Sequence, residues 1–275
     1  MPKILGKGLK GFAIFAVLGW SLAPIVLILI SSFKPDRDIF AAPPRLLFEP
    51  TFDHYVALWT RWGDFFAGLV NSLIITTGAT ILAVVTSAMA GYAYSRYRHT
   101  VMSSSAFFLI FIRLIPPIVI TLPLFPVVNI LRINDTHILM IVLYATFFVS
   151  LGTLIMRTFI DQIPKELDEA AHIDGASHWQ ILRRIILPLS AQGMIAVSVF
   201  VIVFAWNEFL FAFIFTTTRA KTAPLVLSEM FGAVEGVEWG VLFAASTLQL
   251  LPVLIFVVLA QKHLVAGLTA GATKG

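Results

Sequence analysis

Two ionisable residues, Arg113 and Glu208, stand inside otherwise uncharged apolar stretches. Burying such groups among hydrocarbon is costly, so each marks either a function or a dedicated partner. Arg113 precedes Pro116-Pro117, a pair that must interrupt a helix and free backbone carbonyls toward a cavity. Glu208 follows Trp206-Asn207. Counted along helices from the inner edges of their stretches, Arg113 lies ~12 Å deep and Glu208 ~27 Å deep, about 15 Å apart in depth, which argues against a direct ion pair. Arg113, Pro116, Pro117, Asn207 and Glu208 are therefore candidates for lining a translocation pathway. The residue types are equally compatible with satisfied contacts inside a bundle or with snorkelling to an interface. Gln249 and Pro252 read as ordinary span residues. Catalytic chemistry finds no constellation: His172 and His178 sit six apart around a glycine turn rather than at i, i+4, and no G-x-S-x-G is present. The chain has no G-x-x-x-x-G-K-[ST] phosphate loop, so any ATP and its Mg must be bound by another subunit. With no cysteine, neither a disulfide nor a thiolate metal site can form. The expectation is a chain that is not itself an enzyme and holds no metal or cofactor.

The segment from Asp161 to Pro188 is too polar to cross a membrane and too regularly patterned for a slack loop. Pro164 suits a first helical turn, and Glu166, Asp168 and Glu169 complement the positive end of a helix. Ile163, Leu167, Ala170 and Ala171 fall on one face at helical spacing. Asp174-Gly175 breaks that helix, Ser177 can cap the next, and Trp179, Ile181, Leu182, Ile185 and Ile186 carry the chain back toward the bilayer. The spacing predicts a helical elbow, with small Ala170 and Ala171 open to a partner and an acidic rim beside them.

The elements that hold these residues follow from composition. The chain is 59% hydrophobic and 12% charged, where a soluble domain carries about a quarter charged residues. Uncharged stretches about as long as a bilayer is thick occur near 12–33, 67–95, 105–128, 138–156, 190–216 and 239–260, which predicts an all-α integral membrane protein with six transmembrane helices. The first stretch is too long for a secretory leader and reads as an anchor. Six spans put both termini on one side. The termini, the loop with Arg96 and Arg98 and the segment Arg157–Arg184 carry eleven Lys/Arg and five acids, against seven and nine on the other side, so the first set is cytoplasmic. Ala79, Ala83, Ser87 and Gly91 recur every four residues, a row of small side chains suited to close helix packing. The net charge of +4 has no long basic run, so nucleic acid is not an expected partner; lipid is.

Glu169-Ala170-Ala171, three residues, Gly175, nine residues, then Ile185, one residue and Leu187-Pro188 resembles the EAA signature of the membrane subunits of type I ATP-binding-cassette importers. The resemblance implies a type I ABC importer permease (MetI-like) fold in which the elbow is a coupling helix seated in a groove of a separate ATPase. On that likeness Glu169 pairs with a basic ATPase residue, Ala170 and Ala171 pack on it, Gly175 makes the turn, and Asp174, Leu187 and Pro188 complete the coupling set. Arg113–Ile118, Phe204–Phe209 and the tail Val265–Gly275 further resemble the carbohydrate-uptake permeases of the maltose-permease kind, in particular the shorter of their two paired membrane subunits. This implies a bacterial inner-membrane importer of a sugar or sugar derivative, with a second permease subunit in a heterodimer, two ATPase subunits and a periplasmic or extracellular solute-binding protein. It divides the chain into a peripheral first helix with its outer loop over 1–66, the permease domain over 67–263 and a cytoplasmic tail over 264–275. Gly267, Thr269 and Gly271 of that tail would contact the ATPase. In the maltose system the membrane sugar contacts come from the other subunit, which makes Asn207 and Glu208 weak candidates for touching solute. The alternatives are an ion-coupled secondary transporter, a membrane enzyme and a scaffold. The first needs an intramembrane ion site, usually within inverted repeats that are not visible here; the second needs a catalytic constellation; the third leaves the elbow unexplained.

Overall fold

A computed structural model describes the backbone of residues 2–45, 47–97, 99–233 and 236–272, and the side chains within them apart from those of 2–9, 103 and 262–272. Arg98 and Lys274 lie outside the described residues, as do the side-chain surroundings of Lys3, Lys7, Lys262, Gly267, Thr269 and Gly271. Every regular element among the described residues is helical. In chain order they are α1 (Pro2–Ser31), α2 (Asp36–Ile39), α3 (Asp53–Arg61), α4 (Asp64–Arg96), α5 (Thr100–Phe111), α6 (Pro117–Ile130), α7 (His137–Ile160), α8 (Glu166–Ile173), α9 (His178–Ile181), α10 (Leu187–Leu189), α11 (Ala191–Trp206), α12 (Leu210–Phe215), α13 (Ala223–Phe231) and α14 (Trp239–Ala272). Single helices at Lys10–Ser31, Asp64–Arg96, His137–Ile160 and Trp239–Gln261 are long and apolar enough to cross a bilayer. Two bent pairs are long and apolar enough only when taken together: Thr100–Leu114 with Pro117–Ile130 at 95°, and His178–Leu189 with Ala191–Trp206 at 76°. Each pair counted as one span gives the expected six.

The first bend follows from Pro116-Pro117. Neither proline has an N–H to continue the ladder, and Pro116 starts α6 from an extended backbone after a 3-10 turn at Ile112–Leu114. The fifth span departs from the expectation of one helix over 190–216: α11 stops at Trp206 and α12 restarts at Leu210.

The chain forms two compact units, 1–66 with 226–251 and 67–225 with 252–275. In the first, the described part of α1 presents Phe12, Phe15 and Trp20 outward, a surface for lipid or a partner helix. His54, on α3, is buried with Nε2 2.7 Å from the Lys34 carbonyl. Its imidazole lies where a Cβ on Gly240 would stand, so that position admits only glycine. In the second unit α4 and α7 run in the same direction, Gly78 meeting Ile141 and Gly91 meeting Met156 and Arg157. Ala79, Ala83 and Ser87 are fully buried, and the Ser87 hydroxyl donates to the Val149 carbonyl at 3.4 Å. The small-residue row thus faces α7 as its spacing predicts. Between helices in lipid the hydrophobic effect supplies no attraction, so association depends on this close van der Waals approach. α11 packs on α7 in the opposite direction, through Gly193 on Phe159 and Phe148 against Phe200.

Candidate functional site

The elbow is built from two capped helices. α8 closes with Gly175 in the left-handed region, φ +83°, where a side chain would be strained. Gly175 N–H donates to the His172 carbonyl at 3.0 Å, and Ala176 N–H donates to the Ala171 carbonyl at 2.9 Å. These two bonds satisfy the last helical carbonyls and reverse the chain. Ser177 then opens α9 with a reciprocal cap: its hydroxyl accepts from Gln180 N–H at 3.3 Å, and its own N–H donates to Gln180 Oε1 at 2.8 Å. Ile181, Leu182 and Ile186 anchor the returning arm in the core. Leu182–Ile186 winds as a π turn, and Leu187 and Pro188 lie in the short α10 that follows.

What the elbow exposes is specific. Glu169 and Ala170 are exposed and Ala171 is half-buried. Leu167, Ile173 and Trp179 also stand outward, Ile173 at 87% exposure, more apolar surface than so short a polar segment needs for its own packing. Glu169 borders a cleft of about 170 Å³ shared with Tyr97, Lys165 and His172. Three expectations are corrected. Pro164 precedes α8 rather than opening it. Ile163 is buried while Leu167 is exposed, so the two do not share a face. Trp179 points away from the apolar arm that Ile181, Leu182 and Ile186 form.

The acidic rim is also narrower than its sequence suggests, because Asp168 turns inward. Its carboxylate accepts from Arg96 Nε at 2.7 Å and from Nη2 at 3.4 Å, with side-chain exposures of 8% for Arg96 and 11% for Asp168. The same guanidinium donates to the Ile160 carbonyl at 3.3 Å and to the Ile163 carbonyl at 3.1 Å. One side chain therefore ties the end of α4 to the end of α7 and to α8. Sequence reasoning used Arg96 only as a topology signal; a pairing across seventy-two residues has no local signature.

The two intramembrane charges each have their own partners. Arg113 lies over the Phe147 ring at 5.5 Å and the Phe200 ring at 6.0 Å, and its Nη1 reaches Ser150 Oγ at 3.4 Å. Glu208 accepts from Phe211 N–H at 2.9 Å and Ala212 N–H at 3.4 Å, capping α12. Asn207 ends α11, and its amide donates to the Val203 carbonyl at 2.8 Å. The Phe147–Phe211 contact, 5.9 Å between centroids, stands between the two charges. Asn207 and Glu208 thus account for the break in the fifth span.

A second polar knot was visible in sequence only as a turn. Asp135, just before α7, accepts from the N–H groups of Thr217, Thr218, Arg219 and Ala220 at 2.9–3.2 Å and from the hydroxyls of Thr217 and Thr218. Burial alone would push this carboxyl up, but the backbone N–H groups of Arg219, Ala220 and Thr217 and the Thr218 hydroxyl outweigh it and hold it well below the usual carboxylate range. Beside it, the Asn71 amide donates to the Arg219 and Lys221 carbonyls at 3.0 and 2.9 Å, Asn71 Oδ1 lies 2.7 Å from His137 Nε2, and Ser72 Oγ accepts from Ala223 N–H.

The profile of the family described as "Binding-protein-dependent transport system inner membrane component" matches residues 82–270. The chain belongs to that family. Among its relatives, the trehalose/maltose transport system permease protein MalG of Thermococcus litoralis is 36% identical over 92% of both chains. The trehalose transport system permease protein SugB of Mycobacterium tuberculosis is 34% identical over 94% of both. In fold the chain is similar to a subunit of a bacterial ABC transporter involved in the import of the acidic polysaccharide alginate, with a TM-score of 0.78 at 20% identity over 94% of this chain and 96% of that one. The fold is that of an ABC importer permease, and the family is a transport component of the inner membrane that depends on a binding protein. That replaces the ion-coupled reading.

Proposed function

We propose that this family member is one of two different permease subunits of an ATP-driven importer for a sugar or sugar derivative, and that its elbow is where a separate ATPase attaches. The cargo class rests on the relatives that carry trehalose and maltose in their names. The attachment reading rests above all on one observation: a rigidly capped elbow holds Glu169 and Ala170 outward among exposed Leu167, Ile173 and Trp179. An exposed carboxylate on an elbow that also exposes apolar side chains fits a partner groove that offers one basic residue and an apolar floor. The distribution of Lys and Arg supports a cytoplasmic elbow and cytoplasmic termini. Two ATPase copies, one for each permease subunit, and a solute-binding protein on the opposite side complete the assembly. Arg113, with the backbone break at Pro116-Pro117, is the pathway element that this chain can contribute.

Glu169→Lys tests the attachment. The variant should reach the membrane in normal amount, because Glu169 is exposed on α8. It should lose the ATPase on co-purification and abolish uptake. Normal uptake by that variant refutes the role given to Glu169.

A further inference from the structure

The elbow is continuous by chain with α7 on one side and with α11 on the other, but not with α4. Any displacement of the elbow reaches α7 and α11 through covalent bonds, whereas α4 can receive it only through side chains. The residue in position to do this is the last one of α4. Arg96 spends its guanidinium on the Asp168 carboxylate of α8, on the Ile160 carbonyl at the end of α7 and on the Ile163 carbonyl in the link between them. It also donates to Ser95 Oγ at 3.1 Å. A planar fork held at several points resists both sliding and rotation, which a lysine at the same place would not. Gly91 adds a second restraint, since its missing Cβ lets α4 approach Met156 and Arg157 one turn away from the fork.

Energetics argue against a role in stability alone. Removing both charges from water costs several kcal/mol, which the attraction in the interior does little more than offset, and a well-packed apolar pair is often as stable or more so. A buried ion pair is better suited to fixing a register than to holding a fold together.

We propose that the Arg96–Asp168 bridge is a strut that makes α4 move with the elbow, so that ATPase closure is delivered to three helices rather than two. Both are positioning residues that act through α4. This rests on the reading of the elbow as the ATPase attachment point. Asp168 faces inward where Glu169 faces outward, so the two carboxylates can be tested separately.

The test uses the whole importer, with both permeases, its ATPase and its binding protein, in liposomes. Asp168→Asn should keep the ATPase attached and hydrolysing, while solute moved per ATP falls about fivefold or more, the size of a typical coupling free energy. Unchanged solute per ATP with the ATPase attached overturns the proposal, and so does loss of the ATPase, which would make Asp168 a docking residue. A second measurement stands even if that variant fails to assemble. The chain has no cysteine, so Tyr97→Cys and Glu166→Cys, both at exposed positions flanking the bridge, can carry spin labels with no background from this subunit. In the otherwise unaltered complex the label distance should stay constant between nucleotide-free and ATP-bound states. A change in that distance means that the elbow moves without α4 and ends the strut. Failure of the attachment reading itself shows elsewhere, as ATPase retained by Glu169→Lys.

Discussion

At one end of α7 the Asp168 carboxylate meets a guanidinium; before the other end the Asp135 carboxylate meets peptide N–H groups and hydroxyls. Both are buried, and both tie α7 to distant parts of the chain. The first joins two side chains, each on a helix, and can swing as a unit with them. The second is made by a loop that wraps its backbone around one acid, and that loop cannot shift without stranding several donors at once. The difference teaches which end is built to move with its neighbours and which is built to stay. A buried carboxylate is tolerable where enough N–H dipoles converge on it.

The largest expected effect breaks the fixed end. Asp135→Ala leaves four backbone N–H groups without their acceptor, and even at about 1 kcal/mol for each the loss is ~4 kcal/mol. A fall of many degrees in the unfolding midpoint of the purified subunit checks it. Arg96→Ala comes next: it leaves the Asp168 charge buried and unpaired, at ~3 kcal/mol. It is measured in the same unfolding experiment, and amide exchange of the variant should show the lost protection concentrated in the elbow. Gly91→Ala follows, at about 1–2 kcal/mol, because a Cβ there meets the backbone of Arg157 as well as Met156. It should loosen the approach of α4 to α7, read as a lower midpoint.

The smallest effect concerns pH and sharpens the contrast. The Asp135 carboxyl is depressed in the folded chain, so its stabilisation is complete above the ordinary carboxylate value of ~3.9 and is lost only as pH falls through the lower folded value. Protection of the amides of residues 217–220 should therefore persist down to pH about 4 and fade below it. Asp135→Asn should remove that pH dependence. Protection already fading at neutral pH would contradict the depressed carboxyl.

Much of this architecture is legible in the residues themselves. Apart from the break in the fifth apolar stretch, the six stretches, the Pro116-Pro117 break, the Gly175 turn and the Ser177 cap follow from local chemistry. The row from Ala79 to Gly91 predicts a face for close helix packing, and α7 is the helix that meets it. What could not be read depends on residues meeting across the chain. Asp168 looks like another member of an acidic helix start until Arg96 is brought to it. Asp135 looks like a turn residue until residues 217–220 fold over it. Asn207-Glu208 reads as polar residues within a span, whereas Glu208 caps a new helix and so ends the old one. Hydropathy alone cannot register that change, since both sides of the break are equally apolar.

The π winding at Leu182–Ile186 fits one more residue into the returning arm than an α-helical turn would hold. Each residue of a helix turns the chain by roughly 100°. Excising a single residue from that stretch would therefore restore regular winding and turn the cap from Glu166 to Ile181 relative to α11, a twist that the link to α7 and the Arg96 fork would have to absorb. The aim of the elbow is set by a miscount in its stem.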